Sequence, residues 1–118
     1  MRPLLASFAH AFSGLRTLLL SQRNARIHLS ATVVVVAAGI YLRLFDFEWV
    51  MVIGAIALVW IAEALNTALE FLADEVTLEM RDRIRKAKDV AALGVLVAAA
   101  AAVLFGLVAF LPHIRGIR

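Results

Sequence analysis

From Val90 to Leu111 the chain runs 22 residues without a charge, about the length a helix needs to cross the hydrocarbon of a bilayer. A soluble helical bundle needs a polar outer face, and this run has none. Two further apolar stretches can be drawn, at 29–45 and 49–73, the first reaching Phe45 if Arg43 snorkels to the interface. Hydrophobic residues make up 64% of the chain and mean hydropathy is +0.92, well above the roughly 45–50% apolar content of soluble domains. The expected fold is all-α and integral to a membrane. One domain covers 1–118, with three transmembrane helices at 29–45, 49–73 and 90–111, the last stopped by Pro112.

The segment 2–21 has a different pattern. Leu4, Leu5, Phe8, Phe12, Leu15, Leu18 and Leu19 fall on one helical face, with Ser7, His10, Ser13 and Arg16 among the other positions. This suits an amphipathic helix lying in the interface plane. A cleaved signal peptide fits less well, because no long uncharged core precedes Arg16 and no clear small-residue cleavage site follows it. With no cysteine in the chain, disulfides, thiolate metal sites and cysteine nucleophiles are excluded.

Within the second apolar stretch stand Glu63, Asn66 and Glu70, at spacings that place them on one helical stripe about 10 Å long. An ionisable group at mid-depth costs roughly 2.5–3.5 kcal/mol on insertion scales, so it normally faces protein or water and marks function. The alternative is a Glu63 near the interface that pairs with a nearby base, which leaves Asn66 and Glu70 to be explained separately. The stripe reads as a polar site. Three thin spans can hardly enclose it, so an oligomer that buries it between subunits is expected. Gly94, Ala98, Ala102 and Gly106 recur every fourth residue and offer a groove for close helix approach, although the all-alanine stretch 98–102 supplies part of that regularity.

Charge sets the orientation. Arg2, Arg16, Arg23 and Arg26 precede the first stretch with no acid among them, and Arg81, Arg83, Arg85, Lys86 and Lys88 lie between the second and third. Both segments are expected on the cytoplasmic side, against the weaker opposing vote of Arg115 and Arg118. Most charges of 74–89 suit a solvated, salt-bridged connection. Lys88 and Asp89, however, sit at the membrane boundary, level with the Glu70–Asp74 end of the second stretch. Carboxylates for a hard divalent cation, with bases for phosphate oxygens, are the parts phosphoryl transfer requires. The six glycines form no phosphate-binding loop, so any nucleotide would be held by side chains and metal. Composition and spacing leave a kinase and a small channel, transporter or scaffold subunit equally open.

The order of residues goes further. Glu63-Ala64-Leu65-Asn66-Thr67-Ala68-Leu69-Glu70, then Asp74, then Lys86-Ala87-Lys88-Asp89, resembles the signature of the small prokaryotic membrane lipid kinases, the diacylglycerol kinase and undecaprenol kinase family. Gly14-Leu15-Arg16, Arg23-Asn24-Ala25-Arg26-Ile27-His28 and Phe110-Leu111-Pro112 extend the likeness along nearly the whole chain. The resemblance implies a homotrimer with active sites between subunits in the bacterial inner membrane. It also implies ATP with Mg2+ as phosphate donor, a lipid alcohol as acceptor and no nucleic-acid partner. By resemblance Glu63 is the general base and Asn66 orients the nucleophile or a phosphate oxygen. Glu70 ligates magnesium, and Arg16, Lys86, Lys88 and Asp89 serve the nucleotide and its phosphates, Asp89 positioning either Lys88 or the nucleotide. Asp74 braces the helix end.

There are two departures. Gln22 stands where the family usually has an acidic second metal ligand, and Met80-Arg81 where it tends to have Tyr-His. Arg26-Ile27-His28 and Leu111-Pro112 look more like the undecaprenol kinase branch, so undecaprenol is the favoured acceptor and diacylglycerol the alternative.

Overall fold

A computed structural model describes residues 2–116, which form four α-helices: α1 Arg2–Ser21, α2 Arg23–Leu42, α3 Asp46–Val76 and α4 Asp82–Arg115. Arg118, one of the two bases in the opposing orientation vote, lies outside the described residues. All four helices are long and apolar enough to cross a membrane. By that measure α1 counts with the rest, so length and hydropathy do not by themselves give three spans. The helices of 31 and 34 residues, α3 and α4, would extend past a hydrocarbon layer about 30 Å thick at 1.5 Å per residue.

The helix ends depart from the expected spans for local reasons. Only Gln22, in an extended conformation, separates α1 from α2, so α2 begins six residues before the expected position 29. It ends at Leu42 rather than Phe45, because Arg43 takes a left-handed conformation (φ 56°, ψ 60°). The Arg43 N–H then donates to the Ile40 carbonyl and the Leu44 N–H to the Gly39 carbonyl, a paired closure usually built on glycine. Helix α3 starts with Asp46 and Glu48 in its first turn, where acids favour the N-terminal dipole, and the Glu48 side chain accepts the Phe45 N–H at 2.8 Å. Pro112 does not stop α4. The helix passes through it and closes at Gly116 (φ 69°), whose N–H donates to the Pro112 carbonyl. Much of the charged 74–89 segment is likewise helical, since α4 begins at Asp82.

The main contact is α3 against α4, with α2 packed more sparsely on α3. The buried cluster lies at the 43–45 turn, where Leu44, Val52 and Ala109 meet with Val35, Trp49, Ile56 and Phe110 around them. At the same end Glu48 is fully buried, and its Oε1 lies 2.6 Å from His113 Nε2 on α4. Phe45 meets the His113 ring edge-on. Gly39 lets α2 approach α3 there: a Cβ would fall 2.7 Å from Trp49 Cη2 and 3.0 Å from Cζ2. A rigid indole cannot give way cheaply, so Gly39→Ala is expected to destabilise the fold by about 1–3 kcal/mol, the usual cost of overpacking. Thermal unfolding in detergent measures it, and an unchanged midpoint would mean that the two helices are not close-packed at this point.

Within one chain the small-residue row of α4 is not covered as one seam. Ala98 is buried, while Cβ atoms added at Gly94 and Gly106 would meet nothing within 4 Å. Ala102 and Gly106 instead line a groove of about 370 Å³ between α2, α3 and α4. On α1, Leu18 is buried, whereas Leu4, Leu5, Phe8 and Phe12 remain exposed.

Candidate active site

Glu63 lies on α3, well along the helix from the 43–45 turn. It is 2% exposed, and its Oε2 has no hydrogen-bond partner among the described residues. A buried, unpartnered carboxylate oxygen is costly unless something binds to it. Across the helix interface His28 Nε2 on α2 lies 3.8 Å from this oxygen, within reach of an ion pair but beyond hydrogen-bond length. One turn back, the Trp60 indole N–H donates to Thr32 Oγ1 at 3.0 Å, and that hydroxyl donates to the His28 carbonyl at 2.7 Å. This chain of bonds ties α2 to α3 beside Glu63. One turn forward, Thr67 is 4% exposed and its hydroxyl likewise has no hydrogen-bond partner among the described residues.

The structure divides the sequence stripe. Three residues advance a helix by about 300°, so Asn66 sits roughly 60° round from Glu63, whereas Glu70 at seven residues returns to within about 20°. Asn66 lines a separate groove of about 670 Å³ against the first half of α4, with Leu65, Leu69, Gly94 and Ala98. Glu70 is half-buried and makes no ion pair or side-chain hydrogen bond among the described residues.

Lys88 Nζ pairs with Asp74 Oδ1 at 3.0 Å, joining the end of α3 to the start of α4. Asp89 does not hold Lys88. Successive helical residues point about 100° apart, and Asp89 turns instead to Arg85 at 3.2 Å. Arg85 also pairs with Asp82 at 2.9 Å, and Lys86 with the other oxygen of Asp82 at 3.1 Å. Arg16 is exposed on α1. Gln22 is half-buried and makes no capping bond with its side chain. Arg26 donates to the carbonyl oxygens of Leu19 and Leu20, closing α1. Among the described residues no three His, Asp or Glu side chains converge to hold a metal.

Sequence reasoning assigned no role to Thr67, Thr32, or the Glu48–His113 pair, and quoted His28 only as part of a motif. Thr67 was accessible, being four residues from Glu63 on the same face. The approach of His28 was not, because 35 residues separate it from Glu63.

An all-helical chain with helices apolar enough to cross a membrane, a buried carboxylate oxygen without a hydrogen bond at a helix interface and an ion-paired basic start to α4 has the make-up of an enzyme acting at a membrane. The profile of the prokaryotic diacylglycerol kinases matches residues 9–110. The chain is 33% identical to the undecaprenol kinase of Bacillus subtilis (strain 168) over 108 residues, 92% of this chain and 88% of that protein. It is 40% identical to the diacylglycerol kinase of Synechocystis sp. over 110 residues, 92% of this chain but 63% of that longer protein. The chain belongs to the prokaryotic diacylglycerol kinase family, and is a lipid kinase.

Proposed function

We propose that this chain transfers the γ-phosphate of ATP to a membrane lipid alcohol, with undecaprenol as the favoured acceptor and diacylglycerol as the alternative. The observation that supports it most is the free, buried Oε2 of Glu63, placed to take a proton from a hydroxyl that the membrane brings to it. Likeness to the undecaprenol kinase along 88% of that protein favours the prenol. Asn66 would orient the reacting groups. Lys88, held out by Asp74, would meet phosphate oxygens together with Lys86 and Arg16, while Asp89 acts on the nucleotide side through Arg85.

Magnesium usually binds through one or two carboxylates plus substrate phosphates rather than in an all-protein cage. A single half-buried Glu70, with the amide oxygen of Gln22 as a neutral second donor, fits an ion that arrives on the nucleotide. When bound, that ion would offset charge on the transferring phosphoryl group. Gln22→Glu is then expected to move half-activation to lower magnesium concentration. A titration of activity against magnesium checks this, and an unchanged curve would remove position 22 from the metal's surroundings.

In this reading α2, α3 and α4 span the bacterial inner membrane and α1 lies on its cytoplasmic face. A one-residue break is too short to fold α1 back antiparallel on α2, since helix connections in bundles take about 2–8 residues. The bases before position 29 and between 74 and 89 support a cytoplasmic position for both segments. The many exposed apolar side chains and the grooves beside α3 suit a homotrimer with sites at subunit interfaces. Transfer of radiolabelled phosphate from ATP to each lipid in detergent micelles tests the function. Undecaprenol is expected to turn over faster; transfer only to diacylglycerol would reverse the acceptor, and transfer to neither would remove the kinase reading.

A further inference from the structure

We infer that His28 binds the acceptor hydroxyl, its Nε2–H holding the reacting oxygen while Glu63 Oε2 takes the proton. This rests on the kinase reading above and adds to it a residue with a stated task. The two atoms are 3.8 Å apart, too far to bond each other. One hydroxyl oxygen can sit at about 2.6–2.9 Å from both, donating its hydrogen to the carboxylate and accepting from the imidazole. The angle at that oxygen is then about 90°, and it opens toward tetrahedral if the pair parts by roughly half an ångström. The second oxygen lone pair remains free for attack. Glu63 is 2% exposed with that oxygen unpartnered, which is the condition an arriving hydroxyl would relieve.

The surroundings of His28 suit a lipid. It lines the groove of about 370 Å³ between α2, α3 and α4. Since α2 and α3 run antiparallel, His28 and Trp60 mark one end of this groove and Val35, Val52 and Phe110 the other. Apart from His28 its lining carries no titratable group, so an alcohol whose tail lies among these residues meets its first ionisable partner at that end. The imidazole does not drift there by chance. The Trp60–Thr32–His28 bonds fix its backbone against the turn of α3 that precedes Glu63. In the transfer, a bond forms between the hydroxyl oxygen and the γ-phosphorus. The bond from that phosphorus to the β-γ bridging oxygen breaks, its electron pair staying on the nucleoside diphosphate, and the hydroxyl proton moves to Glu63. His28 keeps its own proton throughout and acts by orienting the nucleophile.

The test compares His28→Gln, which keeps an N–H at similar reach, with His28→Leu, which keeps bulk without a donor, in full-length protein in micelles with ATP and undecaprenol. His28→Leu is expected to lower kcat/KM for the lipid at least about tenfold while KM for ATP stays within about twofold; His28→Gln should recover most of the loss. Melting temperatures accompany the rates, and His28→Ala stands in for leucine if the latter does not fold. No loss in the donor-free variant, or equal loss in glutamine and leucine, overturns the assignment. Wild-type protein that phosphorylates no lipid alcohol would instead sink the kinase reading, a separate result visible before any variant is made.

Discussion

Glu63→Gln is expected to lower phosphate transfer at least about 100-fold, the low end of what a general base contributes. Glutamine keeps the shape of the side chain but cannot take the proton. The same change should leave the fold intact. Among the described residues Glu63 makes no hydrogen bond that the substitution would break, and a neutral amide is less costly to bury than a carboxylate without one. Turnover and melting temperature are therefore predicted to separate: the first collapses while the second holds or rises. Near-normal turnover at saturating lipid would make Glu63 structural, and an equal loss of stability would assign the effect to packing.

Glu70→Ala is the second large effect, and it should abolish transfer at any practical magnesium concentration. Glu70 returns to nearly the same helical angle as Glu63, two turns further along α3. It has no ion pair or side-chain hydrogen bond among the described residues, so its removal leaves no charge stranded and little packing undone. A variant that folds normally and recovers activity at high magnesium would show that the carboxylate only tunes metal affinity. Loss at every concentration, with helicity and melting unchanged, would make it indispensable for placing the metal on the phosphates. Gln22→Glu should act in the opposite sense and far more gently, because it alters an existing neutral donor.

Much of this molecule could be read from residue order, and the limits have physical causes. An uncharged run has few alternatives to a helix in a membrane, so the helices were legible; their ends were not. Arg43 closes α2 in a conformation normally left to glycine, and Pro112 sits inside α4 because the helix continues into a turn anchored by His113 on Glu48. Neither event has a local signature. Spacing placed Glu63, Asn66 and Glu70 on one side of α3, but not that Asn66 opens on a groove facing α4 while Glu63 faces α2. The resemblance left Asp89 to position either Lys88 or the nucleotide, and only the fold pairs Lys88 with Asp74 on another helix. Contacts across helices depend on how the helices are set against one another, and a single sequence states that only through recognised motifs.

The two tryptophans give the α2–α3 contact a built-in optical readout. Trp49 packs against Gly39 beside the buried cluster, and Trp60 donates its indole N–H to Thr32 next to the candidate site. They are 11 residues apart on the same helix, or about 16 Å at 1.5 Å per residue. With one indole replaced by phenylalanine at a time, the emission of the other would report on a single end of the same contact. A shift from Trp60 alone on adding lipid would mark movement confined to the Glu63 end, and matched shifts from both would mean that α2 moves as a rod.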